Sequence, residues 1–83
     1  MQSIDRAQLC AAYVLDKKAF NVRILDVRKI SSLADFLVIA SGSSDRQVSA
    51  SAESVQLGMK KEHDTMPIGI EGLNEGRWVL IDY

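Results

Sequence analysis

The stretch FLVIASGSSDRQV, Phe36–Val48, decides how this chain folds. Phe36 to Ala40 is an unbroken apolar run of strand length; Gly42 then interrupts it, and small polar residues lead into a helical pattern. An apolar run without alternation predicts a strand covered on both faces, inside a sheet. Ser44 followed by Gln47 has the form of a capping box, in which the hydroxyl accepts from a free backbone N–H of the first turn and the longer side chain reaches back. Asp45 sits where the positive end of a helix dipole favours an acid, and Val48, Ala52, Val55 and Met59 make an apolar stripe. The pattern predicts a helix that fades around Lys60 to His63, where cations suit the negative end, with Pro67 blocking continuation.

Upstream of that strand and helix, Ser3 is the expected cap of a first helix with Asp5 in its first turn. Its buried face is predicted at Ile4, Ala7, Ala11 and Val14, and Lys17 and Lys18 suit its C-terminal end. In FNVRILDV, Phe20, Val22 and Ile24 fall on one side and Asn21 and Arg23 on the other, the alternation of a strand with one wet face. RKISSLAD is a polar connection. Downstream, PIGIEG reads as a short extended piece, LNEG as a turn and RWVLIDY as a last strand. Strand, helix and strand in succession predict a right-handed βαβ unit. The expected class is α+β: one domain over residues 1–83, a small mixed sheet with two helices packed on one face.

The totals narrow the function. A chain of 83 residues with 47% apolar and 25% charged residues is ordinary for a globular domain, and so small that it buries only about 60% of its unfolded surface. No apolar run approaches the roughly 20 residues of a membrane span. The start, MQSIDRAQLC, resembles neither an export signal nor an import leader, so a bacterial cytoplasmic location is expected. With one cysteine, Cys10, and one histidine, His63, an internal disulfide is impossible and a zinc site lacks its usual ligands. No metal or cofactor is expected. The net charge of −1 and scattered basic residues argue for little direct RNA contact, since nucleic-acid binders need a basic footprint.

Chemistry finds few footholds. The turn Gly42–Arg46 leads from a strand into a helix and so offers backbone donors to an anion, which leaves a nucleotide- or phosphate-binding role as the alternative reading. It lacks the P-loop spacing, and no pair of carboxylates one residue apart follows to hold the two metals of a nucleotidyltransferase. A helix cap explains it more simply. Ser41, Ser43 and Ser44 have no base in reach, because His63 belongs at the far end of the helix that Ser44 begins, where a solvated side chain is expected. Cys10 reads as a small core residue. GRWVLIDY is different: Trp78, Leu80 and Asp82 share one strand face, while Val79, Ile81 and Tyr83 share the other, and both are largely apolar. Two helices cover only one of them. The uncovered side is either a protein-binding patch or, if Trp78 turns inward, more core.

SSLADFLVIASGSSDRQV, Ser31–Val48, and PIGIEGLNEGRWVLIDY, Pro67–Tyr83, resemble the ribosomal silencing factor family, also called RsfS or Iojap, over nearly the whole chain. The resemblance implies a nucleotidyltransferase-like α+β domain without catalytic carboxylates, and therefore no enzyme. It implies binding to the large ribosomal subunit, through ribosomal protein fourteen at the subunit interface, and a steric block to subunit joining that represses translation. Trp78 would be an aromatic anchor, Leu80 its apolar neighbour, Asp82 an acid facing basic groups, and Glu71 a further contact. Asp35, Ser44 and Arg46 also match family positions, although a turn, a cap and solvent account for them. Family members continue past the Asp-Tyr with a strand resembling VVVHVF and a terminal helix, so the chain is expected to be C-terminally incomplete relative to the family. An unpaired edge on the last strand would then favour a homodimer.

Overall fold

A computed structural model of the protein describes residues 2–72 and 78–83. The elements in order are α1 (Ser3–Asp16), β1 (Phe20–Asp26), β2 (Phe36–Ser41), α2 (Asp45–His63), β3 (Gly69–Glu71) and β4 (Leu80–Asp82). The α+β class holds. The pairing differs from the predicted mixed sheet: β1 pairs with β2 and β3 with β4, both antiparallel, as two separate two-stranded sheets. No βαβ crossover forms among the described residues, because the piece that follows α2 finds its partner in β4 rather than alongside β2.

The two helices are held by a narrow, mostly small-residue core. Ala7, Ala11 and Val14 of α1 meet Ala52, Val55 and Met59 of α2, and the periodic positions Ile4 and Val48 lie half-buried at the ends of the stripes. Met59 is fully enclosed, and it clusters with Val14, Ala19 and Val55. Alanines let the helix backbones approach, and the Ser54 hydroxyl donates to the Tyr13 carbonyl across the contact at 3.1 Å. The helix α1 also lies against the β1–β2 hairpin.

The end of α1 is a Schellman closure. Lys18 adopts φ 65°, its N–H returns to the Leu15 carbonyl, and the Ala19 N–H returns to Val14. The apolar contact that accompanies such closures is the Val14–Ala19 pair in the core. At the other end the expected cap moves by one residue. Gln2 takes the cap position and its N–H donates to the Asp5 carboxylate at 3.2 Å, while Ser3 is the first helical residue and its hydroxyl donates to Asp35 at 2.6 Å. Ser3 thus ties the helix start to the loop before β2 instead of capping. At the C-terminal end of α2, Asp64 adopts φ 49°, and the Asp64 and Thr65 N–H groups return to the Lys60 and Met59 carbonyls.

Two strand expectations are corrected. Asn21 has φ 51°, and between the pairs Phe20↔Ser41 and Arg23↔Ile39 two residues of β1 face one of β2, a β-bulge. Phe20 therefore takes the parity of Ile39 and is exposed, whereas Val22 keeps to the core side. Nor is β2 covered on both faces: Leu37 is 43% and Ile39 49% exposed. In a hairpin backed by α1 on one side, the residues between Phe36 and Val38 and beyond face water.

Candidate functional site

Strands β3 and β4 form an antiparallel pair whose two faces differ. The register pairs Ile70 with Ile81, and Ile81 packs against the Met59 cluster. That inward pair roots the hairpin on the helices. The opposite face brings Glu71 directly across from Leu80, and Gly69 across from Asp82. Burial alternates from Trp78 to Tyr83, with Trp78, Leu80 and Asp82 exposed and Val79, Ile81 and Tyr83 half-buried. Trp78 is 57% and Leu80 53% exposed. The structure thus gathers Trp78, Leu80, Asp82 and Glu71 on one outward face. The strand itself is shorter than the predicted RWVLIDY, beginning at Leu80, and the whole LNEG turn and Arg77 lie outside the described residues.

Chemically, this face is an apolar centre with an acid on either strand. Among the described residues the salt bridge that forms is elsewhere, between Asp26 and Arg28 at 2.6 Å. An indole beside a leucine, flanked by carboxylates, suits a protein surface with an apolar recess and a basic rim. Two further residues belong here that the sequence reading passed over. Ile68 is strongly exposed and its N–H donates to the Asp82 carbonyl, which prolongs the hairpin. Gly72, at φ 82°, lies against the Trp78 backbone; a lone glycine beside a turn was the available signal.

The turn after β2 is occupied by structure. Ser44 caps α2, accepting from the Gln47 N–H at 3.1 Å. The Gln47 side-chain oxygen accepts from both the N–H and the hydroxyl of Ser43, and its amide nitrogen donates to the Lys17 and Lys18 carbonyls at 3.2 and 3.3 Å. One side chain therefore joins the start of α2 to the end of α1. At Gly42 an added Cβ would stand 3.0 Å from Val48 Cγ2 and 3.1 Å from its nitrogen, so this glycine allows the strand to enter the helix closely. Of the donors in Gly42–Arg46, the N–H and hydroxyl of Ser43 are engaged by Gln47, which leaves a phosphate fewer partners there and favours the cap reading.

The remaining candidates fall apart in space or chemistry. Asp35 is engaged by Ser3, and Arg46 is exposed on the first turn of α2. Cys10 packs half-buried against the core, and burial pushes its thiol up, away from the reactive thiolate. His63 is not the solvated residue expected: it is half-buried, with Nε2 enclosed and without a partner among the described residues. A groove of about 400 Å³ runs between Leu57 of α2 and Met66, Pro67 and Ile70, away from the Trp78 face. No cluster of metal-ligating side chains occurs among the described residues, nor any helix long and apolar enough to cross a membrane.

The family model described as ribosomal silencing factor during starvation, RsfS, matches residues 1–83. The chain belongs to the RsfS family. The RsfS protein of Bacillus subtilis is 37% identical over 75 residues, which is 90% of this chain and 63% of that protein. The RsfS protein of Chromobacterium violaceum is 37% identical over 82 residues, covering 99% of this chain and 66% of that one. The chain therefore spans about two thirds of the length of these RsfS relatives. A crystal structure of a Chromobacterium violaceum protein superposes with a TM-score of 0.92 at 35% identity, over 99% of this chain and 68% of that chain. One from Bacillus halodurans gives 0.85 at 37% identity, over 95% and 72%. At these identities the likeness extends beyond the fold to the RsfS family, whose name marks it as a ribosomal, regulatory one.

Proposed function

We propose that this chain acts as a ribosomal silencing factor by docking the Trp78 face of its β3–β4 hairpin on the large ribosomal subunit. The docking partner in this reading is ribosomal protein fourteen, on the surface where the small subunit joins. The mechanism is steric and needs no turnover. A specific protein contact takes about 800 Å² per partner, and a domain seated there would occupy space that the small subunit needs. Trp78 and Leu80 supply the apolar anchor; Asp82 and Glu71 face basic groups and set orientation and encounter rate more than affinity. The place of action is the bacterial cytoplasm. The second reading, two copies pairing through β4, is separated from the first by light scattering.

The observation that carries the reading is the outward placement of an indole and a leucine between two acids in a chain of this family. Isolated large and small subunits, mixed with the full chain and sedimented through a sucrose gradient, test it. Joined ribosomes are expected to fall as the chain is added, and to return when Trp78→Ala and Leu80→Ala are combined. Gradients that do not respond to the unaltered chain would refute the steric block.

A further inference from the structure

Trp78 stands largely in water, yet its position has a defined support. Gly72 leaves β3 at φ 82°, a left-handed conformation that side chains disfavour. A Cβ built there would lie 2.2 Å from the Trp78 carbonyl oxygen, 3.2 Å from its carbonyl carbon and 3.1 Å from Cε3 of the indole. The close atoms are both backbone and ring. The bare face of Gly72 is therefore the surface on which the Trp78 backbone and the edge of its ring rest. By contrast, a Cβ on Gly69 of the same hairpin would meet nothing within 4 Å, so small size is demanded at one glycine and not at the other.

We infer that Gly72 is the positioning residue of the docking face, holding the Trp78 indole outward in the orientation a partner receives. The inference rests on the interface reading given above. Its physical content is preorganisation: a ring laid on a glycine loses less rotamer freedom on binding than one hung free in solvent. Any side chain at position 72 must displace the Trp78 carbonyl, and with it the strand entry that sets the spacing from Trp78 to Leu80. The Glu71–Leu80 pair, one residue inside, then loses its fixed relation to the indole.

Trp78 is the chain's single tryptophan, so its fluorescence reports this contact without ambiguity. In the full chain, Gly72→Ala is expected to shift the emission maximum and change acrylamide quenching, and to weaken large-subunit binding about tenfold while the helical signal at 25 °C holds. Gly69→Ala is expected to leave the emission unchanged. Gly72→Asn tolerates positive φ but still brings a Cβ to the Trp78 carbonyl; it is expected to move the indole as alanine does, and so guards against a variant that merely strains the backbone. An unchanged emission in both position-72 variants would overturn the inference. So would a shifted emission with unchanged binding, provided Trp78→Ala weakens binding in the same assay. If Trp78→Ala itself leaves binding intact, the interface reading has failed, and the docking role of Gly72 falls with it.

Discussion

Met59, in α2, and Trp78, just before β4, are large apolar side chains that meet opposite fates: the first is 0% exposed, the second 57%. Around Met59, helix periodicity, small residues and two capped helix ends all serve one end, the burial of a stripe. Around Trp78 the hairpin packs Ile81 and Tyr83 half-buried against the core and leaves Trp78 and Leu80 outward. Removing apolar surface from water stabilises a fold by about 25 cal/mol per Å², so a half-exposed indole and leucine contribute little for their size. The contrast teaches that the helical region is organised by folding, whereas the outer hairpin face contributes little to folding and, in the function proposed above, serves a partner.

Substitutions in the two regions should therefore separate stability from binding. The largest effect is expected at Met59→Ala, a loss of about 2–5 kcal/mol from deleting a fully enclosed side chain, read by urea unfolding. Leu80→Ala in the same assay should change stability by less than about 1 kcal/mol, being half in solvent. Equal losses at the two sites would break the comparison. Gly58→Ala sharpens it: the new Cβ would sit 2.4 Å from the Tyr13 ring, so the helical region has no room even for a methyl group. Overpacking of about 1–3 kcal/mol opposes a helix-propensity gain of about 1 kcal/mol, leaving a net loss of about 1 kcal/mol. Gln47→Ala should lower stability by about 1 kcal/mol through the lost link from Ser43 to the Lys17 and Lys18 carbonyls, with large-subunit binding unaffected.

The smallest effect concerns pH. Hydrogen bonds from the Arg28 side chain and backbone hold the Asp26 carboxyl down to about 2 from the ordinary 3.8. A depressed carboxylate stabilises the fold above its unfolded value and loses that contribution as pH falls from about 4 towards 2. Asp26→Asn should flatten that part of the stability profile only slightly, because the pair is solvent-exposed.

Helices were legible because their signal is local. The stripe Val48, Ala52, Val55, Met59 and the Ser44 cap lie within one element, and a 3.6-residue period survives whatever packs against it. That Trp78, Leu80 and Asp82 share a face was legible for a similar reason, since alternation groups residues by face, but it does not say which face turns outward. Strand partners were not: β3 and β4 pair with each other, and nothing in PIGIEG distinguishes a parallel crossover from an antiparallel partner. The apolar run of β2 reads identically whether one or both faces are covered, so the openness of Leu37 and Ile39 had no sequence signal. Asn21 offered only its tolerance for positive φ as a hint of the bulge, and Gly72 only its place beside the last turn.

The central claim, that the outer hairpin face is a docking surface, is tested most directly by the affinity of the full chain for isolated large subunits, measured for the unaltered protein and for Trp78→Ala combined with Leu80→Ala. The account predicts at least a tenfold weaker dissociation constant for the double variant, with its unfolding curve close to that of the parent. An unchanged dissociation constant in a folded double variant would contradict it.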